Sequence, residues 1–296
     1  MILTNEVSYM KPGTAITSVV TAIIIAVFSV VCLAPIDAHA QQKKDDKDKT
    51  AEVKDDKMGW KTRDYRPYIK AFDDLQKLSM EFAEKNLQLA INEYDKGMDA
   101  LDDMENEVAK IESKEGKKKN LNERWHWQEI DRKNQTKRYI GRIKYSAKVK
   151  SVTNFTRAIN LIDTIENSNK KFITENKNYK IFKIKLFQVY VSTQYDLQNF
   201  KPCIPVLERY LSIDENTKTD IWAYRYLASC YGFMENVLAK YKKATEDEII
   251  DYKQKKNTSL LKAAELKYTV ESPQYKHLKD IVERDEMKSE SLNDFR

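Results

Sequence analysis

Glycine and proline are scarce in this chain, with six of each in 296 residues. No proline occurs between Pro67 and Pro202. Turn-dense β sandwiches and barrels need such residues at short intervals, so that architecture is excluded. A glycine-rich phosphate loop is missing as well. Histidine is rarer still. His126 and His277 are the two beyond residue 40, far apart in sequence and in no HExxH or similar metal-ligand pattern. No Ser or Cys has the strand–turn–helix context of a nucleophile elbow. Carboxylates are plentiful, but they alternate with lysines as solvated helix faces do. These absences predict a protein without enzymatic activity, cofactor or bound metal.

A long hydrophobic run occurs once, over residues 15–33, after Lys11. It ends at Pro35 and at Ala38-His39-Ala40, the small-x-small pattern that signal peptidase cuts. Residues 1–40 are therefore predicted to be an export signal, cleaved after Ala40, with Met1 or Met10 as the start. The run approaches the length of a membrane span, but the proline break and the Ala-x-Ala ending favour cleavage. Val31 is too large for Cys32 to be a lipid-attachment cysteine. Loss of Lys11, Glu6 and Asp37 with the leader takes the formal charge from +6 to +7. That is mild for the length and does not indicate nucleic acid. The expected location is the periplasm, with no membrane anchor after cleavage.

Residues 41–63 are almost all charge of mixed sign and cannot bury a core. They read as a disordered spacer, or as an arm that docks on a neighbour through Trp60.

Past Arg66-Pro67 the pattern becomes helical. Tyr68, Phe72, Leu75, Leu78 and Phe82 mark one face. Leu87, Ile91, Tyr94, Met98, Leu101, Met104 and Val108 continue it at nearly heptad spacing. An unbroken helix from Pro67 to Lys114 would be about 70 Å long. Gly97 weakens it without stopping it. Gly116 and the lysines after it read as a turn, and Asn120-x-x-Glu123 has capping-box spacing. A second helix then carries Ile140, Ile143, Ala147, Val152, Phe155, Ile159, Ile162 and Ile165. Together these predict a long helical arm over 64–170. Trp125 and Trp127 point about 200° apart on a helix, so both cannot face one core. They are candidate interface residues, because exposed aromatics dominate binding energetics.

The remaining span, 171–296, is organised by residues 179–241. Three amphipathic helices joined by polar turns are visible there. Tyr224, Leu227, Ala228 and Tyr231 fit the first-helix pattern of a tetratricopeptide repeat, and Phe200, Cys203 and Leu207 a preceding second helix. The repeat is longer than 34 residues, and the turn near 216–220 is expected to take up the excess. Cys203 and Cys230 occupy small-residue positions on neighbouring helices. They can close a disulfide if their Cα atoms lie within roughly 7 Å, or pack as free buried thiols, which is the reading adopted. Ser272-Pro273 starts the last helix. The fold class is all-α: an elongated array of long antiparallel helices with tetratricopeptide-like hairpins in the C-terminal half.

The segments WHWQEIDR, FKPCIPVLERYLSI, WAYRYLASCYGFMENV and SPQYKHLKDIVERDE resemble the flagellar-coiling protein A family, sheath proteins of leptospiral periplasmic flagella. The resemblance spans residues 125–285. It implies a V-shaped helical protein that coats the core flagellin, contacts other sheath proteins, assembles laterally on the filament and imposes the coiling that motility needs. The competing reading is a periplasmic tetratricopeptide-like adaptor, with Tyr190, Tyr195, Tyr224 and Tyr231 lining a groove or core.

Overall fold

The computed structural model describes residue 60 and residues 68–116, 126–168, 170–241 and 245–293. The leader with Ala38 and Ala40, nearly all of the charged 41–63 segment, the Asn120 cap and Trp125 lie outside the described residues. All described helices belong to the unit Lys57–Arg296. Among the described residues there are ten helices and no strand, and 88% of them are helical.

The chain opens with α1 (Ile69–Glu81) and α2 (Lys85–Gly116). The apolar pattern runs through both, but the single long helix expected from it is broken at 82–84. Ala83 takes φ 52°. The Glu84 N–H donates to the Ser79 carbonyl at 2.8 Å, and that of Ala83 to Met80 at 3.1 Å. This is the pair of bonds of a Schellman stop, here without the usual glycine. The break lets α1 turn back and bury Leu75 against both α2 and α5.

Helix α3 (His126–Asn167) returns antiparallel to α2: Gly97 meets Phe155, while Met104 meets Ala147 seven residues on. All seven apolar positions from Leu87 to Val108 are buried in α2, as are Phe155, Ile159, Ile162 and Ile165 in α3. A short turn, α4 (Lys171–Thr174), leads to α5 (Lys177–Asp196), capped by the Asn176 side chain. Helix α5 is buried on nearly all sides, with Phe182, Leu186, Phe187 and Val191 inaccessible. Its sequence accordingly carries no single apolar stripe.

Then come α6 (Cys203–Leu211), α7 (Glu215–Lys218) and α8 (Ile221–Tyr241). The turn expected near 216–220 is α7, closed by a reciprocal capping box between Asp214 and Thr217. Helix α9 (Glu246–Tyr268) starts five residues after α8 ends and packs along it, so it runs back antiparallel. Thr245 and Glu248 form its capping box. Helix α10 (Pro273–Asn293) starts at the expected proline and packs on α9. Val282 is its buried anchor, whereas Ile281 is exposed.

Candidate assembly surfaces and the junction that holds them

Four helices meet at a cluster of rings. Phe72 of α1, Tyr94 of α2 and Phe182 of α5 form a triangle with centroids 5.5 Å apart and edge-to-face angles of 75–89°. Phe155 of α3 joins through Tyr94 at 5.9 Å. Such contacts add about 0.5–1.5 kcal/mol each beyond burial. Beside this core, Arg209 of α6 reaches Asp163 and, at 3.5 Å, Glu166 of α3. Lys183 of α5 takes the other oxygen of Glu166 at 2.5 Å. The clasp ties α3, α5 and α6 together over the Phe187 ring, 5.1 Å from the Arg209 guanidinium.

On the far side of α6 a polar relay is anchored on Asp220. Gln188 Nε2 donates to the Tyr210 hydroxyl at 2.9 Å, which donates to Asp220 Oδ2 at 2.6 Å. Trp60 Nε1 donates to the same oxygen at 2.7 Å. Asp220 Oδ1 accepts the Trp222 N–H at 2.8 Å at the start of α8. The Trp60 indole lies between Tyr210 and Tyr226, at 5.2 and 4.8 Å. Trp60 is thus half-buried against its own chain. From Tyr226 the stack continues through Tyr195 and Phe200 to Phe233, which is exposed.

Burial pushes the phenols here upward. Tyr226 rises to about 12. Tyr210 and Tyr179 are raised by burial first and then by the carboxylates of Asp220 and Glu166. Tyr231 is raised by burial and by its bond to Glu208. A phenol whose folded value lies above its unfolded value near 10 stabilises the fold fully below pH 10. That contribution is lost as the pH climbs from 10 through the folded values, because the unfolded chain releases its protons first. The melting temperature should therefore fall steeply between pH 10 and 12. Tyrosinate absorbance from Tyr179, Tyr210, Tyr226 and Tyr231 should rise only as the fold is lost. A single titration near pH 10 with the fold intact would contradict this.

Cys203 and Cys230 are both fully buried and free. The Cys203 thiol donates to the Asn199 carbonyl at 3.4 Å, and Cys203 beside it, together with burial, pushes the Cys230 thiol well up. Among the described residues no group of three His, Cys, Asp or Glu side chains could hold a metal ion. His277 is exposed on α10. Trp127 belongs to the first turn of α3. Tyr190 and Tyr231 are core residues, whereas Tyr195 and Tyr224 are half-buried and Tyr224 donates to the Lys218 carbonyl at 3.1 Å. No described helix is long and apolar enough to cross a membrane.

The charge on the α2/α3 arm, by contrast, faces outward and is segregated. Across 130–150 there are eight Lys or Arg and one Asp, and across 95–112 seven Asp or Glu and two Lys. Sequence reasoning missed the segregation because helix faces were read for apolar period and not for sign. No curated protein matches the chain. The sequence pattern of the FcpA family matches residues 28–291, nearly the whole chain. With an all-α fold built of long hairpins, the chain belongs to the FcpA family of flagellar-coiling proteins, with a role in the sheath and coiling of periplasmic flagella.

Proposed function

We propose that the chain binds the core flagellin and neighbouring sheath proteins from the periplasm, and that its helical arms set their lateral spacing so that the filament coils. Family membership supports the flagellar role. The observation that carries the mechanical part is the continuity of the core. Buried side chains from Leu75 through Phe155 and Phe182 to Tyr231 form one cluster. A load on the α2/α3 arm therefore reaches α8 through packed rings, since interiors are dense and resist compression. Trp125 and Trp127 are the proposed anchors on a partner. Trp60, seated on Asp220, is proposed to tether the charged N-terminal segment to its own chain.

Fractionation tests the reading. The protein should purify with periplasmic flagellar filaments and leave them only under conditions that strip other sheath proteins. Recovery as free periplasmic protein, with none on filaments, would overturn it and favour a soluble adaptor.

A further inference from the structure

The turn between α1 and α2 and the turn between α3 and α4 come together, and each exposes a phenylalanine. Phe82 and Phe172 lie with ring centroids 5.0 Å apart, yet remain 49% and 48% exposed. Met80, in the last turn of α1, is 61% exposed. Turns favour Gly, Asn, Asp and Ser, so turn chemistry does not explain paired rings there. The three side chains leave roughly 300 Å² of apolar surface open, the size of patch that marks a contact.

This platform is braced from behind. The Ser79 carbonyl accepts from the Glu84 N–H at 2.8 Å and from Gln88 Nε2 at 2.9 Å. Lys170 binds Glu84 at 2.5 Å and so ties one turn to the other. A surface already held in shape loses little freedom on binding.

The charges beside the rings follow an inverted pattern. One turn reads Glu81-Phe82-x-x-Lys85 and the other Lys171-Phe172-x-x-Glu175. All four charged side chains are exposed, and none makes an ion pair or side-chain hydrogen bond among the described residues. Within the chain the rings meet and these charges do not. Glu81 closes α1 and Lys85 opens α2, the ends at which the helix dipole disfavours each sign. Their own helices therefore do not account for them. A two-fold axis does: it lays 81–85 of one copy on 171–175 of the other, and the reverse, with Phe82 on Phe172, Glu81 beside Lys171 and Lys85 beside Glu175.

We propose that this platform is an isologous dimer contact between two copies of the chain. A two-fold interface uses one self-complementary patch on both partners, which the inverted pair of turns supplies. The apolar centre is under half of the ~800 Å² per partner of a standard interface, so the dimer is weak and forms at roughly 10–100 µM. It needs no filament, so purified protein tests it separately from the flagellar reading.

The test is sedimentation equilibrium of purified protein over about 1–200 µM. The parent should be monomeric at the low end and dimeric, never larger, at the high end, because a two-fold contact closes on itself. Phe172→Ser should weaken the dimer at least about tenfold. Reversing one turn, Glu81→Lys with Lys85→Glu, should do the same, since like charges then face each other. Reversing the other, Lys171→Glu with Glu175→Lys, should match it. The chain carrying all four reversals should dimerise to within about threefold of the parent, because its two turns are again inverted. An equimolar mixture of the two half-reversed chains should also recover, as a heterodimer. Circular dichroism melting checks each fold, and Met80→Glu replaces Phe172→Ser if that change unfolds the chain. A parent that stays monomeric throughout, half-reversed chains that dimerise as the parent does, or a fourfold reversal that stays monomeric would overturn the proposal. So would a parent that grows past the dimer, which would seat the platform on a different surface of the next copy. Flagellin binding that Phe172→Ser abolishes, in a parent that stays monomeric, would assign the platform to flagellin and overturn it too.

Discussion

Replacing Phe182 by Ala should cost about 3–5 kcal/mol, the range for deleting a fully buried phenyl ring. Its ring is inaccessible and meets Phe72 and Tyr94 edge-to-face. The deletion opens a cavity shared by α1, α2 and α5, and α3 lies behind it through Phe155. None of the four can collapse into the space without leaving another partner. For a chain of this size the melting temperature should fall by about 10 °C or more. Filaments carrying the variant should be less coiled even where the protein is retained, because the arm is no longer firmly joined to α5–α8. A shift below about 2 °C would mean that the ring triangle does not hold the junction.

The second large effect is expected at Gly97. A Cβ there would lie 2.3, 2.7 and 2.8 Å from Cε1, Cδ1 and Cζ of Phe155. The helix should gain up to about 1 kcal/mol from alanine, but the clash is with a buried ring that has no free direction. Overpacking of this kind costs about 1–3 kcal/mol, so Gly97→Ala should destabilise by up to about 2 kcal/mol net of that gain, and Gly97→Val by more. Phe155→Leu removes the edge that clashes. The double variant Gly97→Ala with Phe155→Leu should therefore be more stable than the sum of the single changes predicts, a coupling that a double-mutant cycle reads directly. Strict additivity would show that α2 and α3 are not in close contact at this glycine.

Gly97 also shows where sequence reasoning stopped. Its weakness as a helix former was legible, and the helix does run through it. That it marks a close approach was not legible, because the Phe155 ring that fills the space comes 58 residues later. The apolar period placed the seven buried positions of α2 correctly, since one stripe faces one partner along the whole hairpin. It gave no warning of the stop at Ala83, which uses a left-handed alanine where glycine is the usual signal. The start of α10 at Pro273 was readable because proline has a fixed local preference. Trp60 stood out as the one large ring in a charged segment. Its seat on Asp220 depends on Tyr210 and Tyr226, which the fold brings together from 150 residues or more away. The cysteines were placed as neighbours by the repeat pattern, and the structure buries both as free thiols.

The charged faces of the arm were in plain view in the sequence. They became interpretable only once α2 and α3 were known to share a seam, along which Asp103 and Glu107 line one groove with Arg142 and Lys150. In the same way the tyrosines of 190–231 could be read as groove or core from sequence. Burial of Tyr190 and Tyr231 places those two in the core.

The most direct test of the coiling role is the curvature of filaments purified from cells that lack this gene, compared with cells in which it has been restored. The account predicts filaments that lose their coil in the deletion strain, with impaired swimming, and regain it on complementation. Filaments that stay normally coiled, in cells that swim normally, would contradict it.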